Sequence, residues 1–109
     1  MSKKQSRKMY RHGDVLLVEA VVRTDAPIIR PDAGRNILAY GEVTGHAHVL
    51  ERDDAVVYGY DKTSPLQVKV VKTAPLTHEE HYTINLPAAL YDLPEQVEET
   101  PEVVRRVED

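Results

Sequence analysis

The chain reads as an all-β protein, a small single-domain β-barrel. Three observations lead there. Short β-branched and aliphatic runs recur along the sequence. Gly, Pro, Asp and Asn interrupt them at a spacing of roughly eight to twelve residues, as in barrels and sandwiches. Residues 66–70 and 82–86 alternate apolar with polar side chains, the period of a half-buried strand.

The elements follow in order. Residues 14–22 form an apolar strand, preceded by Gly13 and broken before Pro27. Residues 28–36 hold Pro31, Asp32 and Gly34 and read as a loop. A second strand opens at 37–40, Gly41 and Gly45 frame a turn, and residues 46–51 continue as a strand. Residues 52–54 are a polar hairpin connection to a strand at 55–60, which the segment 61–65 ends. The alternating strand 66–70 comes next. After Pro75 a polar stretch around Thr77 to Glu80 permits a turn before the strand at 82–86, which Pro87 stops. Residues 88–93 suit a short strand or turn, because Pro94 argues against a long helix. In the tail, Thr100 and Pro101 carry a helix-start signature, with Val103, Val104 and Val107 on one stripe. That segment fits a short C-terminal helix or an edge strand. Residues 1–10 are expected to be a basic flexible N-terminal arm, and residues 11–109 the barrel domain.

Composition narrows the function classes. With 109 residues the chain holds one small core, built without Phe or Trp. Its apolar complement is thin for a monomer, so a two-fold homodimer is expected. No cysteine is present, which excludes thiolate catalysis, disulfides and Cys-based zinc sites. No apolar run matches a signal peptide or a membrane span, so no membrane association is expected and a cytoplasmic location is the default. The net charge of −4 argues against a grip on duplex DNA, which depends on neutralising many phosphates.

Chemistry concentrates in the histidines. Four of the five fall in two clusters, His46-Ala47-His48 and His78-Glu79-Glu80-His81. Neutral imidazole takes up protons, releases them and binds metals near pH 7. In a strand His46 and His48 project from one face, whereas His78 and His81 share a face only across a turn. Convergence of the two pairs in one pocket is therefore expected. One chemistry is metal-free phosphodiester cleavage, with a histidine base for a ribose 2′-hydroxyl, a histidine acid for the leaving 5′-oxygen and a cation for the phosphate. His46, His48, His78 and His81 are the catalytic candidates. Arg11, His12, Tyr40 and Thr44 are the substrate-binding ones, and His81-Tyr82-Thr83 fits the His-x-Thr pattern of two-histidine phosphoesterases. A second chemistry is metal binding, with Glu42, Glu51 or Glu80 completing the ligand set. Gly41, His46, His48, Glu51 and Gly59 follow the order of a first cupin motif, although no second motif is visible. A third alternative is a non-catalytic β-barrel binding a small ligand.

The motifs Gly41-Glu-Val-Thr-Gly-His-Ala-His48 and Leu76-Thr-His-Glu-Glu-His81, with Arg11-His-Gly-Asp-Val-Leu-Leu17 before them and Ile84-Asn-Leu-Pro87 and Tyr91 after, resemble short proteins of actinobacterial genomes and mobile elements. These are similar to a small β-barrel type of CRISPR-associated ring nuclease. The resemblance implies a homodimer that cleaves cyclic oligoadenylate, with no metal or other cofactor. Where that pattern has Leu-Pro-Ala-Gly-x-Tyr, this chain has Leu86-Pro-Ala-Ala-Leu-Tyr91.

Overall fold

The structure, a computed structural model, describes residues 7–40 and 46–94. These form ten strands and one 3-10 turn: β1 (Met9–His12), β2 (Val15–Glu19), β3 (Ile28–Ile29), β4 (Arg35–Tyr40), β5 (Ala47–Glu51), the turn Arg52–Asp54, β6 (Ala55–Tyr58), β7 (Gln67–Val70), β8 (Ala74–His78), β9 (His81–Leu86) and β10 (Ala89–Asp92). The all-β expectation holds. The strands do not close into a barrel, however. They form a six-stranded sheet in the order β1-β2-β10-β7-β6-β3 and a four-stranded sheet in the order β4-β5-β8-β9. All paired strands run antiparallel. Strands this short leave too little ladder to carry one continuous sheet around, and two facing sheets bury the same apolar residues.

Both sheets contribute to one core. Val15, Leu17, Val57, Val68, Val70 and Tyr91 come from the larger sheet, and Leu38, Leu50, Leu76 and Leu86 from the smaller. Leu17, Leu50, Leu76 and Leu86 are fully buried, each worth ~1.5–3 kcal/mol of hydrophobic transfer. Tyr91 supplies the bulk that Phe and Trp would give elsewhere. Its hydroxyl donates to the Pro87 carbonyl (2.8 Å), and Tyr10 meets its ring edge-on at 5.8 Å.

Three local differences from the sequence reading have physical causes. Met9 and Tyr10, expected in the flexible arm, belong to β1, because Tyr10 packs against the core and the strand pairs with β2 from Met9↔Val18 to His12↔Val15. The loop expected at 28–36 contains β3 and the start of β4, joined around an isolated Asp32↔Arg35 bridge. β8 runs through Pro75. The β5 ladder there is confined to Val49↔Thr77, so the missing proline N–H falls outside it. The tail at 95–109, with its expected helix or edge strand, lies outside the described residues, as does the turn at 41–45. No helix among the described residues is long and apolar enough to cross a membrane.

One buried amide holds the second sheet to the turn after β5. Asn36 Nδ2 donates to the Glu51 carbonyl (3.1 Å) and to the Ala55 carbonyl (3.0 Å). Removing it strands two carbonyls at the 3-10 turn. Asn36→Ala should therefore lower stability by ~1–3 kcal/mol, read as a fall in the thermal midpoint by circular dichroism. An unchanged midpoint would show that water replaces both bonds.

Candidate functional site

Strand periodicity and one hairpin bring all five histidines together. His48 and Leu50 lie on the inner face of β5, and His46 precedes them at the same two-residue period. β8 and β9 form a hairpin whose last pair is His78↔His81, so these two share a face as directly opposed residues. Their ring centroids are 4.5 Å apart. The tight turn expected near Thr77 to Glu80 is this hairpin's Glu79-Glu80 link. Glu79 then docks the hairpin on β5: its Oε1 accepts the Ala47 N–H at 3.0 Å. That bond is the main reason its carboxyl is held below the usual carboxylate range. His78 lies 4.4 Å from His48 and 5.8 Å from His46, centroid to centroid.

His12 completes the group from the other sheet. It is 2% exposed, and its Nε2 lies 2.6 Å from the Tyr82 carbonyl of β9. A carbonyl can only accept, so His12 Nε2 carries a proton. Burial disfavours the charged form of His12, which leaves Nδ1 unprotonated. His12 Nδ1 and His48 Nδ1 are 2.9 Å apart, so the proton between them belongs to His48. His48 is thus held as the Nδ1–H form, with its Nε2 lone pair free. Burial, reinforced by His78 and His12 and only partly offset by Asp14, pulls the His48 pKa from 6.5 down to about 4.

The carboxylates that meet the cluster come from turns. Asp14 Oδ1 is 3.5 Å from His48 Nε2, and Glu80 Oε2 is 3.4 Å from His46 Nδ1. The His46 contact is not aligned as a hydrogen bond, and that buried nitrogen has no hydrogen-bond partner among the described residues. Glu80 N–H donates to His78 Nδ1 at 2.9 Å, which places the proton of neutral His78 on Nε2. Gly13, at φ +64°, lies against the site: a Cβ there would come within 2.6 Å of His81 Nε2 and 3.0 Å of His48 Cε1. One nitrogen each of His48, His78 and His81 lie within 4.8 Å of one another, close enough for one metal ion to draw them together.

His46, His48, His78 and His81 therefore share one site. His12, expected only as a substrate contact, lies at its centre. Arg11 alternates with His12 along β1 and is exposed on the opposite face. Tyr40 ends β4, and Thr44 and Glu42 lie outside the described residues. Glu51 is exposed at the far end of β5, three residues from His48 and so on the other face. Asp14 and Glu79 escaped the sequence reading. A glycine between a histidine and an aspartate, at the mouth of a strand, was the available signal for Asp14.

A family profile described as Domain of unknown function (DUF8820) matches residues 11–96, and the chain belongs to that family. No curated protein and no solved structure matches it.

The lowered pKa values of His48 and His12 make the metal-free protein acid-sensitive. Well above pH 6.5 both histidines are neutral whether folded or unfolded. As pH falls below 6.5, the unfolded chain binds protons that folded His48 refuses, so stability declines until about pH 4. The thermal midpoint in EDTA should fall steadily from pH 7 to 4.5, and His48→Gln should flatten that slope.

Proposed function

We propose that the histidine cluster is a transition-metal centre, with His48, His78 and His81 as ligands and His12 as the group that orients His48. The three nitrogens within 4.8 Å of one another carry this reading. His12 supports it, because metal-binding imidazoles characteristically donate their second N–H to a fixed acceptor. Among the described residues the charged groups that meet the imidazoles are carboxylates, Asp14, Glu79 and Glu80, and they attract a cation and repel a polyanion. An all-imidazole set without thiolate suits zinc, nickel, copper or iron. Entry of the ion at His78 displaces a hydrogen bond from Glu80 N–H, an exposed turn amide that water satisfies. His81 is exposed, so one side stays open to water or a small ligand, as catalytic rather than structural centres require.

A second reading keeps the chemistry that the ring-nuclease resemblance implies: metal-independent cleavage of cyclic oligoadenylate, by a homodimer. The tautomers favour it. Neutral His48 offers an Nε2 lone pair and neutral His78 an Nε2 proton, a base and an acid side by side.

One experiment separates the two. The purified protein is assayed for bound metal, stripped, and titrated with zinc and cobalt(II) by calorimetry. In parallel it is incubated with cyclic tri-, tetra- and hexa-adenylate in EDTA. The metal centre predicts one tight site per chain, lost in His48→Ala and His81→Ala, and a rise of several degrees in thermal midpoint on saturation. Absence of metal binding, with ring cleavage in EDTA that falls ~10²–10⁴-fold in His48→Ala, would replace it with the acid–base enzyme.

A further inference from the structure

We infer that Asp14 is the fourth protein ligand of this centre, so that the site takes a divalent cation on three imidazoles and one carboxylate. The inference rests on the metal-centre reading and adds a residue from the other sheet. His48 Nδ1–H donates a hydrogen bond to His12 Nδ1, which leaves Nε2 a bare lone pair, and Asp14 Oδ1 stands 3.5 Å from it. Two acceptors that close repel unless something positive lies between them. A metal bound at ordinary Zn–N and Zn–O lengths with tetrahedral angles spaces such atoms about 3.4 Å apart. The observed separation is already that of two ligands of one ion.

The turn carrying Asp14 is built into the site. Gly13 takes a left-handed φ of +64°, and its missing side chain leaves room for His81 and His48. The β1–β2 turn therefore presses directly on two of the three imidazoles. Asp14 itself is 83% exposed, so its carboxylate rotates toward His78 and His81 at little cost. Three neutral imidazoles also leave the full charge of a dication uncompensated. One carboxylate halves it, which favours a divalent ion over a set of imidazoles alone.

The test compares the wild type with Asp14→Asn and Asp14→His. Zinc affinity is measured by competition with a chromophoric chelator, and the ligand set is read from the visible spectrum of the cobalt(II) form. Thermal midpoints in EDTA verify that each variant folds. Asp14→Asn should bind about tenfold or more weakly and alter the cobalt bands. Asp14→His, which restores a donor, should recover much of the affinity. Wild-type affinity and an unaltered cobalt spectrum in folded Asp14→Asn would overturn the role of Asp14 and leave the histidine centre standing, with Asp14 reduced to an ion-pair partner of His48. A wild type that binds neither ion would overturn both.

Discussion

The contact between His12 and His48 is the constraint on which the site depends. Two imidazoles buried to 2% exposure face each other through Nδ1 atoms 2.9 Å apart. Such a pair is tolerable only with one proton between the rings and an acceptor beyond. The Tyr82 carbonyl is that acceptor, 2.6 Å from His12 Nε2. Because Tyr82 lies on β9 and His12 on β1, the same chain of bonds ties the edge of the larger sheet to the edge of the smaller one. One side of the sandwich is thus closed by side-chain hydrogen bonds where no strand ladder runs. The tautomer of His48 follows from this closure, and so does the direction of its free lone pair.

Electrostatics then decide which partners the cluster accepts. Five imidazoles in contact cannot all be protonated, and burial keeps the inner two neutral. The neutral inner pair, with Asp14 beside His48 and Glu80 beside His46, leaves lone pairs and negative charge for an incoming ligand to meet. Arg11, the cation expected to meet a phosphate, points away from it. A phosphodiester substrate would need positive charge from protonated outer histidines, whereas a metal cation meets donors already aimed at it. The balance of charge therefore favours a cation as the first occupant.

Much of the site was legible because period-two geometry is rigid. His46 and His48 had to share a face once residues 46–51 formed a strand, and the turn expected near Thr77 to Glu80 was enough to pair His78 with His81. The alternating segments 66–70 and 82–86 appear as β7 and β9. What remained hidden was tertiary. β1 was masked by the basic residues around it, and its strand character comes from Tyr10 packing on the core beside Tyr91. His12, isolated in sequence, reaches the cluster only because β1 comes beside β9. Asp14 is 34 residues from His48 in a chain whose turn chemistry alone gives no hint of that approach. The barrel expected from strand spacing became a sandwich, since spacing sets strand number and length but not whether the last strand meets the first.

Rigidity is what turns this collection of imidazoles into a site. His48 sits two residues before Leu50, and His78 two residues after Leu76, so each functional side chain lies two residues from a fully buried leucine on the same face. The core that holds Leu50 and Leu76 between the sheets therefore also fixes the strand segments that carry His48 and His78. Glu79 adds a bond to Ala47 that prevents the hairpin tip from swinging away from β5. Ligands fixed by packed strands and oriented by a second set of hydrogen bonds lose little entropy on binding an ion. The turn groups Asp14 and Glu80 are exposed and sit at the rim of the cluster, against His48 and His46. The division between an immobile floor and an adjustable rim is set by which residues the apolar core reaches.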